Sequence, residues 1–170
     1  EDAISYFVRA ERYAEDAQND IAIARLYKAQ TKVFQYCYDT ERMIKSAELA
    51  ALSYIKAGDN ARYLNSVNDL ITAYLMRQDT LNTRKYLDIL KDNWNILSMS
   101  HKSMYYSGLL FLNEDTVDRD YESIIDEYFC EVDNPQMINW ISVADVYISI
   151  AKFKDAYEAL KKYKQYGGKM

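Results

Sequence analysis

The chain has 170 residues, enough for one continuous core and too few for a second large one. One Pro and four Gly leave too few turn-formers for a many-stranded fold, so the composition argues for helices and against an all-β architecture. A formal net charge of −5 disfavours direct nucleic-acid contact, and no apolar run approaches the roughly 18 residues of a membrane span, so no membrane insertion by this segment is expected.

Four acidic residues punctuate the first half: Asp20, Asp39, Asp59 and Asp79, at steps of 19, 20 and 20. Each sits in a short polar break (QND, CYDT, AGDN, RQDT), and the sequence between breaks has helical apolar periodicity. The pattern predicts nine helices, over 2–17, 20–36, 40–56, 60–76, 80–94, 101–113, 118–130, 136–150 and 154–166. The first begins without an initiator Met, inside EDAISYFVRAERYAEDA, so the chain reads as a piece of a longer protein. Gly58 can take the left-handed conformation that ends a helix, with Asp59 or Asn60 capping the next. Further on, Ser100 is the expected N-cap of its helix, and Pro135 suits a first helical turn. One helix plus one turn is the unit, and two units make a hairpin of about forty residues, a period that signals stacked repeats.

The charge is uneven. Nine acidic residues (Glu114, Asp115, Asp118, Asp120, Glu122, Asp126, Glu127, Glu131, Asp133) stand against Arg119 alone, whereas six Lys follow from Lys152 to Lys169. Solvated helix faces are the simpler reading, and an acidic contact patch is the sharper one. Seventeen Tyr suit broad helix interfaces, where the ring packs and the hydroxyl reaches water or a carbonyl. Cys37 and Cys130 have no CxxC partner and read by default as free, partly buried thiols, with a disulfide between them left open until geometry is known. The sequence assigns no compartment.

Convergent chemistry is scarce. His101, the single His, reads as a surface or capping residue. Asp118-x-Asp120-x-Glu122 has the start of a calcium loop, but lacks the Gly at the sixth position and has Phe129 where the bidentate Glu belongs. Gly167-Gly168-Lys169 lacks the spaced Gly of a phosphate loop and reads as a helix stop. Glu15 and Asp16 are adjacent and point to different helix faces. No catalytic residue, cofactor or metal site is expected, and the chain reads as non-enzymatic.

The segment from Asn139 to Lys164 resolves the pairing of helices. Trp140-x2-Val143-Ala144-x2-Tyr147 is followed by Phe153, Ala156, Leu160 and Tyr163. This resembles the tetratricopeptide repeat, in which small residues let two helices approach and large ones fill the gap between hairpins. In the same frame fall Tyr27, Thr31, Phe34, Met43, Ala47 and Ala50, then Val67, Leu70, Ile71, Tyr74, Thr83, Leu87 and Leu90, then Met104, Gly108 and Phe111. Tyr6, Ala10, Tyr13, Ala22, Leu26 and Ala29 also fit, but parity with Trp140 makes the first helix the second half of a hairpin.

The resemblance implies a single domain over 1–170, an all-α, right-handed α-α superhelix of about nine antiparallel helices. It also implies a concave groove lined by the first helix of each pair: Arg25, Lys28, Lys32, Asn65, Asn68, Lys102 and Tyr105. Cations at one end and amides in the middle suit a protein or peptide partner, acidic or ending in a free carboxylate. The same implied positions in the last hairpin are Ile138, Ile141, Asp145 and Ile148, an apolar contact stripe open to a further repeat, to the C-terminal segment of a parent protein, or to a second copy in a homo-oligomer. The function so implied is non-catalytic protein–protein interaction. Long Tyr-rich repeats also resemble the sensor segments of membrane-anchored tetratricopeptide transcriptional regulators of Bacteroidetes, and an accessory domain of an enzyme is a third reading.

Overall fold

Among residues 3–112 and 120–167, which the computed structural model describes, the protein is all-α. Nine α-helices occupy those residues: α1 Ala3–Asp16, α2 Asp20–Tyr36, α3 Thr40–Lys56, α4 Asn60–Met76, α5 Thr80–Asp92, α6 Met99–Leu112, α7 Tyr121–Glu131, α8 Trp140–Ser149 and α9 Phe153–Lys162. Short 3-10 turns lie at Trp94–Ile96 and Pro135–Met137, and a π-helical turn at Tyr163–Gly167 follows α9. The acidic residues Glu114, Asp115 and Asp118, with Arg119, Gly168 and Lys169, lie outside the described residues.

The connections explain the spacing. Before α2, α3, α4 and α5, residues Gln18, Tyr38, Gly58 and Gln78 adopt φ of 48°, 57°, 69° and 56°, at steps of 20 residues. The next residue in each case is an N-cap, and Asn19, Asp39, Asp59 and Asp79 accept from the backbone N–H three residues on, at 3.0, 3.1, 3.0 and 3.0 Å. The same residues also close the helix they leave: Asp39 N–H donates to the Phe34 carbonyl (3.0 Å) and Tyr38 N–H to that of Gln35 (3.2 Å). That is a Schellman end whose last residue caps the next helix, so three residues reverse the chain. Asn19, not Asp20, holds the cap position, and Asp20 is the first helical residue of α2.

Later in the chain several boundaries differ from expectation. Ser98, not Ser100, caps α6: Ser98 N–H donates to His101 Nδ1 (3.2 Å), and His101 N–H reaches Ser98 Oγ (3.4 Å). His101 is buried and takes the Glu role of a capping box. Pro135 opens only a 3-10 turn, and Asn139 caps α8, which starts at Trp140 instead of 136. Asp120 caps α7, and α9 gives way to the π-turn at Tyr163.

Two compact units, Glu1–Tyr86 and Leu87–Met170, divide the chain. In the first, α3 packs on both α2 and α4, and α2 also meets α4. Met43, Ile44 and Ala47 of α3 form one apolar cluster with Leu70, Ala73 and Tyr74 of α4, and Ala50 and Tyr54 form another with Ala24. Tyr74 stacks on Tyr86 at 5.5 Å, and burial pushes the Tyr86 phenol up to about 12. The second unit is centred on Tyr128, whose ring is fully buried. Its hydroxyl lies 2.7 Å from Ser103 Oγ and accepts from Asn139 N–H at 2.8 Å, tying α7 to α6 and to the start of α8. Trp140 Nε1 donates to the Pro135 carbonyl at 2.8 Å, which anchors the short turn before α8.

Left-handed backbone favours Gly by about 1 kcal/mol or more over other residues. A Cβ on Gly58 meets nothing within 4 Å, so Gly58→Ala isolates this backbone cost. Gly58→Ala should lower stability by about 1 kcal/mol and Gln78→Gly should raise it by a similar amount in urea unfolding. The same sign for both substitutions would contradict the shared turn.

The caps also set an acid response. The Arg62 backbone N–H and side chain hold Asp59 below the usual carboxylate range, and the Asn82 side-chain and backbone N–H groups do the same for Asp79. A depressed folded pKa contributes stability that is present above pH about 4 and lost as pH falls through the folded value. Asn keeps the cap without the charge. Asp59→Asn with Asp79→Asn should therefore lose less stability between pH 7 and pH 3 than the parent chain; an equal loss would remove the caps from the acid response.

Candidate functional site

Helices α2 and α4 meet along a polar seam. Lys28, on the third turn of α2, forms an ion pair with Asp69 of α4 and donates to the Asn65 carbonyl at 3.0 Å. Lys32, one turn later, places Nζ 3.4 Å from the other Asp69 oxygen and 3.1 Å from Gln35 Oε1. The spacing follows from the helix period: Lys28 and Lys32 share one face of α2, as Asn65, Asn68, Asp69 and Thr72 share one face of α4. Asp69 is 6% exposed, and two cations beside it offset the cost of burying its charge. Lys32 is half exposed at 50%, so its ammonium also faces solvent. Asn68 Oδ1 is buried without a hydrogen-bond partner among the described residues, while the Asn68 carbonyl accepts from Thr72 Oγ1 at 2.9 Å. Arg25 is exposed on α2, and its charge helps lower Asp59.

Four of the seven expected groove residues therefore belong to one seam: Lys28 and Lys32 on α2, Asn65 and Asn68 on α4. Arg25 shares α2 with the two Lys. Asp69 is an acid at a first-helix position where the resemblance would place an amide, and its pairing with Lys28 is what the sequence did not announce. It removes much of the free cationic character expected of Lys28.

Lys102 and Tyr105 belong to the second unit and are engaged there. Lys102 Nζ lies 2.6 Å from Glu131 Oε2 and 4.9 Å from the Trp94 ring centroid. Tyr105 meets the edge of Trp94 at 5.2 Å, and Trp94 also meets Tyr106 at 5.9 Å. Ile138 precedes α8, is half-buried, and packs against the core around Tyr128 and Trp140. Ile141 and Ile148 are 42% and 48% exposed, with exposed Asp145 between them.

A cleft of about 580 Å³ beside α7 is lined by Asp120, Glu122, Asp126, Glu127 and Glu131 with Tyr106 and Cys130. Two of its carboxylates already have cations: Glu122 pairs with Lys152, and Glu131 with Lys102. Cys37 and Cys130 are free and both are exposed, not partly buried. Among the described residues no group of three His, Cys, Asp or Glu is placed to hold a metal, and no helix is long and apolar enough to cross a membrane.

Removing one member of a buried pair leaves the other uncompensated, whereas replacing both with apolar residues removes the desolvation cost as well. Lys28→Met should thus destabilise the chain by about 1–3 kcal/mol. The double variant Lys28→Met with Asp69→Leu should recover at least about 1 kcal/mol relative to the sum of the singles. Additive singles in a urea double-mutant cycle would show that the pair carries no coupling.

No family model matches the sequence, and neither a curated protein nor a solved structure matches it.

Proposed function

We propose that the chain is a non-catalytic protein-interaction module of tetratricopeptide-like helix pairs, whose α2–α4 seam binds an extended peptide segment. The observation that carries the reading is the seam itself: Lys28, Lys32, Asn65 and Asn68 on two helices that meet side by side. Repeated helix–turn units connected in one way build broad surfaces in preference to deep pockets, which is the form a peptide ligand requires. Asn side chains can pair the N–H and C=O groups of an extended backbone, and Asn65 on the same face of α4 is exposed.

Asp69 sharpens the expected ligand. With Lys28 held internally, the charge offered outward is that of Lys32 and, on the same helix, Arg25. The ligand is accordingly an extended peptide with one acidic group, a side chain or a terminal carboxylate, met by Lys32.

The test is fluorescence anisotropy with a labelled peptide ending in Asp with a free carboxylate, against the same peptide amidated and with Asn in place of Asp. The acidic peptide should bind, the neutral one should bind at least about tenfold more weakly, and Lys32→Glu should cost a similar factor. Equal affinity for both peptides, or an unchanged affinity in Lys32→Glu, would overturn the assignment.

A further inference from the structure

Asp69 stands at a position that the neighbouring helices fill without charge. Helices α2 to α5 follow the same connection, so their residues can be compared by counting from the N-caps Asn19, Asp39, Asp59 and Asp79. Ten residues after each cap stand Ala29, Leu49, Asp69 and Ile89, and only α4 carries an acid there. An apolar side chain at that place would avoid the cost of taking a carboxylate out of water. The helix register therefore does not require the acid, and its role lies in what it faces.

Asp69 faces two ammonium groups. Lys28 pairs with Asp69 Oδ2, and Lys32 Nζ lies 3.4 Å from Oδ1, so each oxygen of one carboxylate meets its own cation. The two Lys stand one turn apart on α2, a spacing that lets both reach a single carboxylate. Asp69 lies beneath them, buried, while the Lys28 side chain is 26% exposed and that of Lys32 is more open still. The two cations are not equivalent, because Lys28 is also tied to the Asn65 carbonyl at 3.0 Å.

A carboxylate arriving from solvent thus meets a two-lysine site whose inner side already holds a carboxylate of the chain. Two positive charges and one negative leave a single positive charge to offer. We infer that Asp69 acts as a built-in ligand of the two Lys and sets the specificity of the seam, weakening its preference for an acidic group. The inference rests on the α2–α4 seam being the peptide site. An acidic ligand shares Lys32 with Asp69 and leaves Lys28 in its internal contacts.

The probes are the two labelled peptides, one ending in Asp with a free carboxylate, the other amidated with Asn in its place. The readout is the ratio of their dissociation constants, because a general loosening of the fold weakens both alike and leaves the ratio unchanged. Asp69→Asn keeps the size and one acceptor oxygen but removes the charge, and should raise the preference for the acidic peptide at least about fivefold. Lys28→Met should lower that preference by a similar factor, and adding Asp69→Leu to it should recover most of the loss. Circular dichroism checks that each variant is folded. A parent preference for the acidic peptide that Asp69→Asn leaves unchanged or lowers overturns the inference, while the seam stands as the peptide site. Binding of neither peptide, or equal binding of both, in the parent and in Asp69→Asn alike removes the seam as the site and the inference with it. Should Asp69→Asn unfold, the other two variants decide: a higher preference in the double than in Lys28→Met supports the inference, and an equal one overturns it.

Discussion

The connection shared by Gln18–Asn19, Tyr38–Asp39, Gly58–Asp59 and Gln78–Asp79 is the constraint on which the first unit depends. A Schellman end and an N-cap share one residue, so both the last carbonyls of one helix and the first amides of the next are satisfied within three residues. Helices α2, α3 and α4 are then 17 residues each, and with three connecting residues the repeat is 20. Equal lengths, each about 25 Å, bring whole helices alongside one another. Small and medium residues such as Ala47, Ala50 and Ala73 then let them pack closely.

That packing also determines what the polar seam can do. Because α3 holds both α2 and α4, Lys28 and Asp69 meet though 41 positions apart, and a pair that would be weak on a free surface becomes a buried, partly satisfied contact. The seam keeps Lys32 toward solvent and Asn68 with an acceptor unmatched. In the proposed reading, structure and recognition draw on the same few side chains, with Lys28 on the structural side and Lys32 on the other. In the second unit the balance differs, since Lys102 pairs with Glu131 and both Lys102 and Tyr105 lie against Trp94.

Much of the helix layout was legible in the sequence. The expected bounds 20–36, 40–56 and 60–76 coincide with α2, α3 and α4, because polar caps and long apolar stripes are local signals. The turn geometry was legible only at Gly58; at Tyr38, Gln78 and Ala151 the same backbone forms without the Gly that would announce it, closed by backbone hydrogen bonds to the end of the preceding helix. The expected start of α8 at 136 failed for a related reason. Pro135 supports any first turn, and the Asn134 and Asn139 caps divide the segment into a 3-10 turn and a separate helix. The candidate residues on α2 and α4 were legible as faces, but the Lys28–Asp69 pairing was not, because it depends on the register between two helices. On α9, Leu160 and Tyr163 have core-type identities, and only the structure shows them exposed.

Backbone dihedral angles at the five connections are the most direct measurement, obtained from NMR chemical shifts and three-bond couplings of the labelled chain. Positive φ should appear at Gln18, Tyr38, Gly58, Gln78 and Ala151, with non-helical φ/ψ at the N-caps Asn19, Asp39, Asp59 and Lys152. Negative, helical φ at Tyr38 or Gln78, with the helix continuing through the break, would contradict the shared connection and the 20-residue unit built on it.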